Sequence, residues 1–139
     1  MKREVARWLN TTFGVPIDFL EHLEIEGVSS GIWVCTPQLK SAPGPIRRRG
    51  IKLAIATRKG FKLTSQGAML LARFCSKRTL KLDREKAVDF VQGKDLANPG
   101  LTDGQVIVMW NGFGLGVGLV MGQRIKNQLA AHRRLPPKN

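Results

Sequence analysis

Few side chains in this 139-residue chain have types and spacings suited to covalent or metal chemistry. Cys35 and Cys75 stand forty positions apart, and neither belongs to a CxxC pair. His22 and His132 are distant from both in sequence, so the ligand spacing of a zinc site is missing. The two cysteines are read as small buried or half-buried thiols of a reducing compartment. Glu21, Glu24 and Glu26 cluster beside His22, a pattern read as solvated surface rather than a weak cation site. No Ser/His/Asp or Cys/His arrangement in a recognisable local context, HExxH pair or P-loop occurs. The expectation is a protein that is not an enzyme and has no catalytic residue, metal or cofactor.

Charge carries a stronger signal. The chain has 23 Lys and Arg against 10 Asp and Glu, a formal net charge of +13. Residues 1–39 are net −2, residues 40–86 are net +12, and residues 87–139 are net +3. Beyond residue 120, Arg124, Lys126, Arg133, Arg134 and Lys138 meet no acid at all. A solvated surface normally mixes its signs, because like charges raise each other's energy. A polyanion relieves such a concentration, and nucleic acid fits best because each phosphate contact releases a counterion. The residues singled out for that contact are Arg47, Arg48, Arg49, Arg58, Lys59, Lys62, Lys77 and Arg78. A hydrophobic fraction of 42% excludes global disorder. No apolar run reaches the ~18 residues of a membrane span, and no apolar segment of a signal peptide follows the basic N-terminus. A soluble cytoplasmic protein with no membrane partner is expected.

Aromatic and glycine positions add detail. Trp8, Trp33 and Trp110 could stack on bases, but each lies on an apolar periodic face and is read as core. Phe61, between Gly60 and Lys62, is the better stacking candidate. Gly112, Gly114, Gly116 and Gly118 recur at period two, which fits neither a P-loop nor a dinucleotide fingerprint. On a strand this spacing strips one face of side chains while Phe113, Leu115, Val117 and Leu119 fill the other. Either a neighbouring protein element or an RNA backbone could then approach closely.

The elements that must position these residues follow from periodicity. Residues 2–13 predict a helix stopped by Gly14, and Pro16 predicts the start of a second one ending at Gly27. Strands are predicted at residues 32–36 and 51–57, separated by a Pro/Gly-rich loop over 37–50. Thr64 or Ser65 caps a helix with Leu70, Leu71, Phe74 and Cys75 on its face, and Asp83 caps another running to Gln92. Between them, residues 79–82 form a short strand. Residues 105–110 and 113–121 form a hairpin across Asn111-Gly112, the pair that a type I′ turn favours. A last short strand begins at Ile125. Helices and strands mix without βαβ alternation, so the fold class is α+β in two small lobes.

The closing stretch GQVIVMWNGFGLGVGLVMGQRIKNQ resembles the last strands of PUA-like domains. KRTLKLDREKAVDFVQGKDL is similar to the family's opening strand, helix and turn. FGVPIDFLE, SGIWVCT and RRGIKLAIATRKGFKLTSQGAMLLARF resemble the lobe preceding the PUA domain in two groups. These are the Sun-family rRNA cytosine-5 methyltransferases of the RsmF type and small pre-PUA/PUA ribosome-biogenesis factors. The resemblance implies an N-terminal pre-PUA-like lobe over residues 1–75 and a PUA-like β-barrel over 76–139. It also implies RNA contacts from Arg124, Lys126 and Asn127, and a catalytic domain that lies outside anything seen in this chain. The combined expectation is a non-catalytic protein binding structured ribosomal RNA, to assist rRNA modification or ribosome assembly. Its further partners would be a methyltransferase or a ribosome-assembly factor. The alternative is an adaptor docking on an rRNA methyltransferase that lacks its own RNA-binding domain.

Overall fold

A computed structural model describes residues 1–36 and 50–136. The loop expected over 37–50, with Arg47, Arg48 and Arg49, lies outside the described residues except for Gly50. Helix α1 spans Lys2–Phe13 and buries Val5, Leu9 and Phe13, the stripe its periodicity requires. Gly14 closes it in the left-handed conformation at φ 69°, which glycine adopts without strain. Helix α2 is only Ile17–Glu21, and strand β1 follows at Glu24–Val28. The expected helix through Gly27 is therefore too long, because Glu24-Ile25-Glu26 alternate as a strand and Ile25 pairs opposite Val34. His22 and Glu24 consequently do not share a helix face.

Strands β2 (Gly31–Cys35), β3 (Ile51–Thr57) and β4 (Gly60–Leu63) complete an antiparallel sheet in the order β1-β2-β3-β4. The Thr64 hydroxyl caps helix α3 (Ser65–Leu71) by accepting from the Gly67 N–H at 3.0 Å. A 3-10 turn, Ala72–Phe74, continues it. The helix buries Gly67, Ala68 and Leu71, and Ala72 follows into the core. Leu70, Phe74 and Cys75 are only partly buried against that core, so the expected face is rotated.

Strand β5 (Thr79–Lys81) runs parallel to β7 (Gly104–Trp110). Helix α4 (Arg84–Val91) begins under the Asp83 side chain, which accepts from the Lys86 N–H at 2.8 Å. Strands β6 (Leu96–Ala97), β8 (Phe113–Met121) and β9 (Arg124–Asn127) finish a curled mixed sheet in the order β5-β7-β8-β9-β6. The β7–β8 turn places Asn111 at φ 51° and Gly112 at φ 82°, the two positive angles a type I′ turn needs. The architecture is α+β, with helices and a PUA-like half-barrel.

Among the described residues two apolar clusters hold the fold. One contains Phe90, Leu96, Val106, Val108, Val120, Ile125 and Leu129 inside the half-barrel. The other runs from Val5, Leu9 and Phe13 through Leu53, Leu63 and Leu71 to Ile107, Met109 and Val117. Strand β7 thus buries both faces, one in each cluster, which is why its sequence is a continuous apolar run rather than an alternation. The glycines of β8 do not share one face. A bulge opposite Val108 and Met109 leaves Leu115 unpaired and flips the strand. A Cβ on Gly114 would meet Ala72, Ala68 and Met69, whereas one on Gly116 would meet Leu129 and Phe90, and one on Gly118 Ile125. Protein elements fill the space beside all three, so the glycine-bared strand offers RNA no approach there.

Candidate nucleic-acid interface

The edge of β4 faces the second sheet, and one glutamine joins them. The Leu63 N–H donates to Gln105 Oε1 at 2.8 Å, and Gln105 Nε2 donates back to the Leu63 carbonyl at 3.0 Å. A primary amide thus continues the ladder of an edge strand whose backbone groups would otherwise need water. Gln105 Nε2 also donates to Gln128 Oε1 at 3.1 Å. Gln128 lies just past β9, where its N–H still pairs with the Val117 carbonyl. Sequence reasoning passes over both glutamines. The available signal is Gln105, a polar residue opening an otherwise apolar strand.

Two recesses flank this junction and share Lys62 and Gln128 in their walls. One, of about 310 Å³, is lined by Ser65 and Gln66 at the start of α3 and by His132 and Arg133 of the C-terminal segment. The other, of about 360 Å³, is lined by Trp8, Phe61, Gln105 and Leu119. The Trp8 and Phe61 rings touch at 5.2 Å between centroids and are both half-buried. Leu119 pairs directly opposite Lys126 on β9, so the two side chains emerge on one face of the sheet. The exposed Lys126 therefore stands beside the groove that Lys62 enters from the other sheet. Among the described residues Lys62, Lys126 and Arg133 have no carboxylate partner.

The other expected contact residues fall into distinct places. Arg58 and Lys59 occupy the exposed β3–β4 turn, which Thr57 braces through its hydroxyl bond to the Gly60 carbonyl. Lys77 is exposed beside the end of α1, with Nζ 3.5 Å from the Thr11 carbonyl. Arg124 is exposed on β9, 3.4 Å from Asp95, a pair worth no more than about 1 kcal/mol in solvent. Arg78, just before β5, is committed to the start of β7 and the loop leading into it: Nε donates to the Gln105 carbonyl, and both terminal nitrogens donate to Thr102.

Asn127 does not reach the surface. It is 6% exposed, its Nδ2 donates to the Phe90 and Lys94 carbonyls, and its Oδ1 accepts from the Leu129 N–H. The side chain ties α4 to β9 and has no hydrogen left for RNA, which removes it from the contact set. Asn127→Ala removes three side-chain bonds to backbone, leaving the Lys94 carbonyl and the Leu129 N–H without that partner while the Phe90 carbonyl keeps its bond from the Gly93 N–H. It should cost roughly 2 kcal/mol, read as a lower denaturant midpoint. A loss under about 0.5 kcal/mol would restore the residue to the surface.

Burial pushes the Cys75 thiol up to about 11, and its Sγ donates to the Leu71 carbonyl at 3.2 Å. At neutral pH it is a packed thiol and not a thiolate nucleophile. Cys35 is buried and both cysteines are free. No group of His, Cys, Asp and Glu suited to a metal ion occurs among the described residues. No helix among them is long and apolar enough to cross a membrane.

Fold and groove together define an α+β protein with a PUA-like half-barrel and a cationic cleft beside it. Residues 77–135 match the family described as the methyltransferase RsmF PUA domain. The ribosomal RNA small subunit methyltransferase F of Aeromonas hydrophila is 34% identical over 128 residues, covering 90% of this chain and 26% of that protein. Its counterpart in Shewanella sediminis is 29% identical over 130 residues, covering 91% of this chain and 26% of that protein. The chain thus spans about a quarter of the length of these relatives and resembles their PUA region.

Proposed function

We propose that this protein is a non-catalytic module that binds structured ribosomal RNA and assists its modification or the assembly of the ribosome. The observation that carries the reading is the meeting of Lys62 from one sheet and Arg133 from the C-terminal segment in one groove, with Lys126 beside them. Unpaired cations converging from separate elements are costly unless a polyanion completes them. The relatives' names support ribosomal RNA as that polyanion. The same proposal divides the chain at 75/76 into a pre-PUA-like lobe and the RNA-binding domain, each contributing one wall of the groove. Arg58, Lys59, Lys77 and Arg124 would extend the phosphate track around it. A cytoplasmic location goes with this role.

Binding of the triple variant Lys62→Ala, Lys126→Ala, Arg133→Ala to a labelled ribosomal RNA hairpin tests the proposal. Affinity should fall roughly 100-fold, and the salt dependence should flatten by about 2 in logarithmic slope, near 0.7 for each phosphate no longer neutralised. The comparison runs from about 50 to about 300 mM salt, where phosphate-driven affinity changes steeply. An unchanged slope would overturn the groove assignment.

A second reading has its own observation. A cleft of about 490 Å³ between α1 and α2 is lined by Ala6, Ile17 and Leu20 together with Lys2, Arg3, Arg7 and Glu21. An adaptor role, docking on a methyltransferase, would use that cleft and show no intrinsic RNA affinity.

A further inference from the structure

We propose that the groove takes one unstacked nucleotide of single-stranded RNA, and that Gln128 selects its base by donating a hydrogen bond. The inference rests on the RNA-binding reading and goes beyond it by naming the RNA element and the residue that discriminates.

The two recesses have complementary chemistry. Lys62, His132 and Arg133 with Ser65 and Gln66 make a cationic, hydrogen-bonding end suited to a phosphate. Trp8, Phe61 and Leu119 make an aromatic and apolar end suited to the face of a base. Each recess has the volume at which small-molecule sites begin, ~300 Å³. Because Lys62 and Gln128 belong to both, phosphate and base of one splayed nucleotide can occupy them together. Single-stranded elements are where RNA exposes a base for such contacts, whereas its helices hide theirs in a deep groove.

Gln128 acts as a donor because a chain of hydrogen bonds fixes its orientation. The backbone of Leu63 presents a donor and an acceptor, so the Gln105 amide can satisfy both in one orientation only. The opposite orientation would face NH₂ against N–H and oxygen against carbonyl. The second Nε2 hydrogen of Gln105 then claims Gln128 Oε1. Among the described residues the Gln128 Nε2 has no acceptor, and Gln128 lines both recesses. The polarity of an edge strand thus determines which end of a glutamine the ligand meets.

A donor at the base edge matches a carbonyl. Guanine and uracil carry an oxo group where adenine and cytosine carry an amino group, so oxo bases are favoured. Uracil stacks less well than adenine, so a preference for it cannot come from the aromatic end of the groove.

Fluorescence anisotropy with ten-nucleotide oligouridylate and oligoadenylate probes provides the test. The unmodified protein should bind oligouridylate about fivefold more tightly, the size of one hydrogen bond. In Gln128→Met, which keeps volume and charge, the preference should vanish while the salt slope stays unchanged. In Gln128→Glu, the carboxylate accepts from an amino base and the preference should reverse. Equal binding of the two probes by the unmodified protein, or a preference that survives in Gln128→Met, overturns the proposal while RNA binding stands. Binding of the hairpin without binding of either single strand overturns it too. Loss of both hairpin and single-strand binding is a different failure, that of the RNA-binding reading itself.

Discussion

Gly114→Ala should destabilise the protein by roughly 2–3 kcal/mol, about 10 °C in midpoint temperature, although it adds a single methyl group. The added carbon would sit 2.8 Å from the Ala72 Cβ, 2.9 Å from the Ala68 carbonyl oxygen and 3.1 Å from the Met69 Cα. None of these atoms is the end of a flexible side chain. Relief therefore requires α3 to move as a body away from β8, which opens the cluster that Leu71, Ile107 and Val117 share. Gly112 makes the comparison sharp, since nothing lies within 4 Å of a Cβ there and its φ is +82°. Gly112→Asn should cost under about 1 kcal/mol, because asparagine tolerates the left-handed region. Chemical denaturation of both variants checks this, with the slope held to the unmodified value so that only the midpoint moves. A Gly114→Ala protein within about 0.5 kcal/mol of the unmodified one would show that α3 is not seated on the strand. The displaced helix would also carry Ser65 and Gln66 out of the groove.

The same glycine marks the limit of what periodicity can reveal. Spacing by two correctly indicates a strand with closely approached backbone, since β8 spans Phe113–Met121. It cannot reveal that one extra residue, Leu115, turns Gly114 toward α3 while Gly116 and Gly118 face the half-barrel. A bulge depends on the partner strand, and a single-strand pattern contains no information about its partner. Local signals fare best where their cause is local. Gly14, Thr64, Asp83 and Asn111-Gly112 each stop, cap or turn the chain as expected, because backbone conformation and short hydrogen bonds decide those positions. Strand β4 escapes a sequence reading because four residues after a turn acquire strand character only by pairing with β3. The strand at Glu24–Val28 reads as helix because Ile25 between two glutamates fits either period until Val34 is placed opposite it.

The cationic residues are legible as a composition and not as a place. Lys62 and Arg133 are seventy-one positions apart, and only packing brings them to one recess. Asn127 shows the converse error. A residue carried over from a family motif as an RNA contact proves to be the hydrogen-bonding link between α4 and β9. A position can match a motif because the fold needs it. Arg78 is similar, since its side chain, from a residue at φ 57° just before β5, is spent on bonds to Thr102 and to Gln105 at the start of β7.

The latch between the sheets supplies the second large effect, with a sign that depends on pH. Gln105→Glu replaces the amide that donates to two oxygens, the Leu63 carbonyl and Gln128 Oε1, with a carboxylate that repels both. At pH 7 the loss should be about 3 kcal/mol, combining the missing bonds with a half-buried charge facing acceptors. That environment favours the neutral acid, so the introduced carboxyl titrates above the ordinary range for glutamate. Its protonated form regains one donor. Stability relative to the unmodified protein should then recover as pH falls through the raised value and be lost as pH rises through it. Gln105→Leu carries no titrating group and should lose about 2 kcal/mol at every pH. Tryptophan fluorescence during urea unfolding reads both variants, since Trp8 and Trp33 report the first sheet and Trp110 the second. The unmodified protein should unfold in one transition, because its larger cluster crosses both sheets. A Gln105→Glu loss that is the same at pH 4.5 and pH 7 would mean the amide is not the group holding β4 to the half-barrel. A recovery toward acid would show that one side chain, forty-two positions from the strand it completes, holds the two walls of the groove in register.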